Sequence, residues 1–198
     1  MKIITVPHQT LRQIADPIEK IDKKTLSFLN GLGDTLVKKD NPRGVGLAGP
    51  QVDQLWRAFA IYLPESGNRD DSDPVLRTVV NPRYTKKSEV LTFGPNPEEP
   101  ILEGCLSIPG IYGPVPRHEW IELEFEELAG VELKTKKERF TAFAARVVQH
   151  EYDHLDGVLF IDYTVEYDLP LYKEKGKNME EMSPEMIQAF HHQTLAHK

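Results

Sequence analysis

Residues 149–154 read Gln149-His150-Glu151-Tyr152-Asp153-His154, an H-E-x-x-H pattern. At 3.6 residues per turn the two histidines lie one above the other on a single helix face. Two imidazoles stacked in that way can grip one metal ion from the same side. Glu151 is next to the first of them, where its carboxylate can reach a water on that ion. The preceding run, residues 140–148, is rich in helix formers and has no Gly or Pro, so the helix is predicted to be under way there. Asp156-Gly157 is a natural stop. Because that run is strongly apolar, the helix must be buried, and the fold has to pack other layers around it. Three fixed residues also occur on solvated surface helices, so the pattern needs partners elsewhere in the chain.

A chain of 198 residues fits one domain with a tail. The net charge of −7 argues against a broad nucleic-acid-binding face, which needs a basic excess, and so against stable nucleic-acid binding. No apolar run approaches the ~20 residues that span a membrane. The start, Met1-Lys2-Ile3-Ile4-Thr5-Val6-Pro7, lacks the apolar core of a secretory signal. A cytoplasmic protein without membrane contact is the expectation. The one cysteine, Cys105, excludes an internal disulfide. It is either a small buried apolar residue or a working thiolate.

Along the chain, Leu26, Leu29, Leu32, Leu36 and Val37 recur at three- and four-residue steps. They predict an amphipathic helix from about Asp22 or Thr25 to Asn41-Pro42. Residues 43–52 read as a flexible small-residue loop. Residues 58–63, 75–80 and 89–93 read as strands; 64–74 and 94–100 read as solvent loops. The clearest strand is 120–128, where Ile121, Leu123 and Phe125 alternate with Glu122, Glu124 and Glu126. Ala129-Gly130 turns it back along residues 131–137 as a hairpin. Val158-Leu159-Phe160-Ile161 is a short apolar segment. Ser183-Pro184-Glu185 can cap a last helix over Met186, Ile187 and Phe190. Strands in runs with helices before and after predict an α+β fold. In it, antiparallel sheets pack around the motif helix, with an N-terminal and a C-terminal helix. Residues 1–165 are expected to form the catalytic domain and 166–198 a polar, partly helical extension.

A catalytic metal usually keeps three protein ligands and one open position. His150 and His154 are two. The third candidates are Glu166, Glu174, the distant His191, or Cys105, whose thiolate is a strong ligand for Zn²⁺ or Fe²⁺. A downstream ligand would make a zincin-type metallopeptidase.

Three stretches settle the comparison: Gly44-Val45-Gly46-Leu47-Ala48-Gly49-Pro50-Gln51, Glu103-Gly104-Cys105-Leu106-Ser107, and Gln149-His150-Glu151-Tyr152-Asp153-His154-Leu155. In content and order they resemble the three motifs of the peptide deformylases. Val115-Pro116-Arg117 and residues 157–162 resemble that family too. The likeness covers roughly residues 5–165, with Gly49 standing where the family usually has a second Ala.

The resemblance implies a hydrolase that removes the formyl group from N-formyl-methionyl peptides and releases formate. Cys105, His150 and His154 would hold one divalent metal, Fe²⁺ in the cell, with Zn²⁺, Ni²⁺ or Co²⁺ able to take its place. Metal-bound hydroxide would attack the formyl carbon. Glu151 would be the general acid/base, and Gln51 with the Leu106 N–H would stabilise the oxyanion. Val45, Gly46, Leu47, Gly104, Ile108, Gly110 and Val147 are expected to contact the peptide, partly as an added strand. Leu47, Val147 and His150 would share its Met pocket. The ribosome is a possible transient partner. Glu103 with Arg117 would form a supporting ion pair or be surface charges. Asp153 would orient a ligand histidine or be solvated. Lys173, Lys175 and Lys177 form a solvated cluster or a ribosomal-RNA contact.

Overall fold

The computed structural model describes residues 1–40, 42–67, 71, 73–96, 98–176 and 178–195. Elements run in the order α1 (Lys23–Val37), β1 (Gly46–Ala48), β2 (Ala58–Pro64), β3 (Pro74–Lys87), β4 (Leu91–Thr92) and β5 (Leu102–Cys105). Then come β6 (Ile108–Pro114), β7 (Arg117–His118), β8 (Trp120–Ala129), β9 (Glu132–Thr141), α2 (Ala142–Leu155) and α3 (Phe160–Glu166). The hairpin β10 (Tyr172–Lys175) and β11 (Asn178–Glu181) and the helix α4 (Pro184–Leu195) complete the chain. The α+β class and both flanking helices are as the sequence predicts.

The strands form a five-stranded sheet, β1-β2-β3-β8-β9, a four-stranded sheet, β11-β10-β6-β5, and the small pair β4-β7. Every pairing between these strands is antiparallel. The larger sheet is covered on both faces. On one, Phe59, Ile61, Val79, Ile121, Leu123, Phe125 and Phe140 pack with Ala145, Val147 and Val148 of α2. On the other, Leu29, Leu32 and Leu36 of α1 pack with Ala58, Ala60 and Val80. A second core joins Cys105, Ile108 and Ile111 to Phe160, Ile161 and Leu171. Helix α2 packs on the larger sheet and meets the smaller one through His150 with Glu103 and His154 with Cys105.

Local chemistry explains several boundaries. Asp22 accepts from the N–H groups of Lys24 and Thr25 at 2.9 and 3.0 Å, and Thr25 Oγ1 accepts from Asp22 N–H at 2.7 Å. That reciprocal cap fixes the start of α1. The helix stops at Val37, short of the expected Asn41-Pro42, and Asn41 lies outside the described residues.

Of residues 43–52, expected as a flexible loop, 46–52 are instead a buried strand and a 3-10 turn, Gly49–Val52. Pairing of β1 with β2 consumes their backbone groups, and the cores on both faces bury their small side chains. Phe140 and Thr141, expected in the helix, end β9. Phe140 keeps the strand alternation by burying against Phe125. The helix begins abruptly at Ala142, whose φ of 49° lies in the left-handed region that side chains rarely occupy.

Val158-Leu159-Phe160-Ile161, read only as a short apolar segment, leads into α3. Asp162 accepts from the Leu159 N–H at 2.9 Å and caps that turn. The tail also holds the hairpin of β10 and β11, which extends the smaller sheet through Tyr172↔Tyr112 and Lys173↔Ile111. Its own pairs, such as Lys173↔Glu180, alternate charges on a two-sided exposed ribbon, so no apolar periodicity announces it. The expected loops 64–74 and 94–100 fall partly, and Lys177 wholly, outside the described residues.

Candidate metal centre

Three elements meet at one buried point. Helix α2 supplies His150 and His154, one turn apart. Strand β5 ends on Cys105. The turn after β1 supplies Gln51. The N-terminal segment ties two of these together: Ile4 N–H donates to Gln51 O at 2.9 Å and Val6 N–H to Ser107 O at 3.0 Å.

The ligand atoms of Cys105, His150 and His154 all lie within 4.8 Å of one another. Cys105 Sγ is 3.2 Å from His154 Nε2. Soft sulfur and two imidazole nitrogens at this spacing suit a tetrahedral divalent ion with its fourth position open. Glu166 and Glu174 are exposed and stand outside the cluster. Of the third-ligand candidates, Cys105 is the one that clusters with the two histidines.

The tautomer of His150 is fixed from behind. Its Nδ1 is 3.0 Å from Glu103 Oε2, so Nδ1 carries the proton and Nε2 is left for an ion. Glu103 is held in turn by Arg117, through Nε at 3.0 Å and Nη2 at 2.8 Å, and by Arg146 Nη2 at 3.0 Å. Burial alone would raise the Glu103 pKa. The Arg117 charge and the His150 hydrogen bond outweigh it and hold the carboxyl well below the usual range.

Burial opposes charge on His150, yet hydrogen bonds to Cys105 and Glu103 raise its pKa well above the ordinary value. The same surroundings favour a cation at Nε2. His154 differs: burial first, then the positive charges of His150 and Arg117, push its pKa well down. It is a neutral imidazole, the form that binds metal.

Glu151 is 4% exposed, and among the described residues its Oε2 has no hydrogen-bond partner. An unpaired buried carboxylate oxygen is costly and points to a missing partner. Burial pushes its pKa up to about 7; the Glu103 and Asp153 charges add to this, and His150 and Arg117 oppose it. His154 Nδ1 is likewise unpartnered.

Gly46 is the backbone wall against Glu151. A Cβ there would come within 2.3 Å of Oε1 and 2.6 Å of Cδ. Gly46→Ala is therefore expected to push Glu151 aside and lower turnover at least ~10-fold, since displacements near 1 Å cost about 10²-fold. Metal content by mass spectrometry should hold, because no ligand touches the new methyl group. Near-normal kcat would show that Glu151 tolerates the shift.

The Gln51 amide is oriented by its neighbours. The Ala48 N–H can only donate, and it fixes Oε1 at 2.7 Å. Nε2 is thereby aimed at the centre, 3.3 Å from both Cys105 Sγ and Ser107 Oγ.

Other expected residues fall where the fold sends them. Glu103 and Arg117 form the ion pair, and Arg117 is only 2% exposed. Asp153 touches neither histidine through a hydrogen bond in the network; it accepts from Arg117 Nη1 at 2.5 Å and from Tyr163 OH at 3.3 Å. Its orienting role passes to Glu103. Leu47 turns away into the α1 core, so it cannot share a Met pocket with Val147; Val45 packs on the Val147 side. Ile108 is buried in one core with Cys105, and Gly110 lies in β6 with a φ of 74°. The edges left unpaired beside the centre belong to β1 and β5, at Gly46 and Gly104.

Ser107 and Arg146 also reach the site, though nothing in the sequence gives them a role there. Arg146 was visible as a lone charge in an apolar run, one turn before His150. Beyond Glu103, it donates to Val115 O at 2.7 Å and to Thr92 O at 2.8 Å. It also borders a cavity of about 740 Å³, lined by Ile101, Trp120 and Phe143, beside the first turns of α2. Among the described residues no helix is long and apolar enough to cross a membrane.

Comparison with known proteins gives one answer. The family model described as polypeptide deformylase matches residues 1–169. Peptide deformylase 2 of Nostoc sp. is 38% identical over 165 residues, covering 82% of this chain and 84% of that protein. A solved probable peptide deformylase from Synechococcus phage S-SSM7 is 36% identical, with a TM-score of 0.65, over 82% of this chain and 98% of that one. The Acinetobacter baumannii peptide deformylase, solved with Met-Ala-Ser bound, is 27% identical with a TM-score of 0.68, over 82% and 97%. With a Cys/His/His cluster on the motif helix and a match of this extent, the chain belongs to the peptide deformylase family and is an enzyme.

Proposed function

We propose that this enzyme removes the formyl group from N-formyl-methionyl peptides by hydrolysis, using the centre formed by Cys105, His150 and His154. The observation that carries the reading is Gln51 Nε2, aimed at 3.3 Å towards the sulfur of that cluster, where a carbonyl oxygen would develop charge. A divalent ion held by the three residues, Fe²⁺ by family resemblance, supplies Lewis acidity at the carbonyl and brings the pKa of water towards neutrality.

The chain's own groups do the rest. Glu151 accepts the proton of the attacking water and passes it to the departing amine. Gln51 Nε2 and the Leu106 N–H donate to the carbonyl oxygen as it becomes an oxyanion; one such donor is worth about 2.7–4 kcal/mol. The C–N bond of the formamide breaks, giving formate and a free N-terminal Met. Glu103 keeps His150 in one tautomer throughout. The peptide lies as a strand between the free edges of β1 and β5, its Met side chain directed to Val45, Phe143 and Val147. A relative is solved with Met-Ala-Ser bound, the sequence of such a product, which supports a peptide with an N-terminal Met as the ligand. A passing encounter with the ribosome would deliver nascent chains.

The deciding experiment measures formate released from formyl-Met-Ala-Ser by anaerobically purified, Fe²⁺-loaded protein, with bound metal quantified on the same sample. Formate in proportion to metal supports the reading. A filled site that cleaves only unformylated peptides would move the protein to the peptidases. Cys105→Ser is expected to lower metal affinity at least ~10-fold, since the soft thiolate is replaced by a weakly coordinating hydroxyl. Competition with a chromogenic chelator checks this, and unchanged affinity would remove Cys105 from the ligand set.

A further inference from the structure

The pairing of β5 with β6 carries information about the second residue of the substrate. Glu103 of β5 points inward, onto His150. Its neighbour Gly104 therefore faces outward, and its cross-strand partner is Tyr112. A Cβ at Gly104 would come within 2.6 Å of Tyr112 Cε1 and 2.7 Å of Cδ1. One edge of the tyrosine ring thus occupies the space a side chain at residue 104 would take, on the outer face of the sheet. Beyond Gly104 the edge is unpaired.

We infer that Tyr112 is a specificity-determining residue: its ring, carried across Gly104 to the open edge of β5, forms a shelf for the side chain of the substrate's second residue. This rests on the deformylase reading and on the strand pose given above. Side chains of an added strand alternate between faces. If the Met side chain turns inward, beside Glu103 and Val147, the next one must turn outward. Opposite Gly104 it meets no side chain of β5. The nearest surface on that face is the Tyr112 ring, one strand further in, within reach only because residue 104 is glycine. Tyr112 is itself supported from the other side, where it pairs with Tyr172 of the C-terminal hairpin. An aromatic or large aliphatic second residue would pack on the ring, and Gly or Ser would gain nothing from it.

The test compares formyl-Met-Phe-Ser with formyl-Met-Gly-Ser for wild type, Tyr112→Ala and Tyr112→Phe, each loaded with metal. Wild type should prefer the Phe peptide by about 3–10-fold in kcat/KM, the range an aromatic contact supplies. Tyr112→Ala should reduce that ratio to about 1, mainly through KM, and Tyr112→Phe should restore it. A wild-type enzyme indifferent to the second residue would overturn the inference. So would a Tyr112→Ala enzyme that loses activity equally on both peptides, since that marks a structural role. No formate from either peptide with wild type would overturn the deformylase reading itself, and this inference with it.

Discussion

Glu151→Ala is expected to lower kcat for formate release about 10²–10⁴-fold, the usual contribution of a positioned acid/base group, with metal content intact. Glu151 is not among the three clustered ligand residues, so the ion's protein contacts survive its removal. Among the described residues its Oε2 has no partner, so the carboxylate is held there at a cost to the fold. Removing it relieves that cost. The variant should therefore melt at the same temperature or higher while turning over almost nothing. Scanning calorimetry beside a formate assay separates the two effects. A variant that keeps more than about a tenth of its turnover would end the acid/base assignment; one that loses its metal would show that the carboxylate supports the ion instead.

The second large effect concerns stability. Arg117→Leu removes the guanidinium that two buried carboxylates share, those of Glu103 and Asp153. Breaking a buried pair by deleting one partner typically costs about 3–5 kcal/mol, because the surviving charge has no compensation. For a chain of this size each kcal/mol moves Tm by about 2–4 °C, so the fall should be about 6–20 °C. Glu103 would also lose two of its donors and its grip on His150. Metal affinity should drop with stability even though no ligand is changed. Arg117→Lys restores the charge but not the fork of donors and should recover only part of the loss. A variant with native Tm and native metal affinity would mean that Arg146 alone suffices to hold Glu103.

How much of this was legible in the sequence depends on whether a side chain's role is local. The stacking of His150 and His154 follows from helix periodicity, so the motif was readable at once. The alternation of Ile121, Leu123 and Phe125 against glutamates is equally local, and β8 was found. Cys105 is 45 positions before His150, so periodicity cannot join them, and only the resemblance did. Asp153, expected either to orient a ligand histidine or to be solvated, does neither for a related reason. It is near the ligands in sequence, but the helix turns it towards Arg117 and Tyr163, while the distant Glu103 reaches His150 Nδ1. Residues 43–52 misled because small residues look flexible in isolation; between two cores the same smallness lets the backbone pack. Leu47 shows the limit of listing neighbours in a motif: it packs into the α1 core, while Val45, which precedes the strand, packs on the Val147 side.

The centre is a junction of three parts that the chain makes separately: an edge of one sheet, the end of a hairpin in another, and a helix wedged between them. Contacts of such sequence separation carry a loop-closure cost that slows folding. Until β5 docks beside α2, Glu103 cannot hold His150 and Cys105 cannot reach His154. Catalytic competence in this chain is therefore a reporter of its own long-range assembly: no formate is expected from a chain whose local hairpins and helices exist but whose β5 has not met α2.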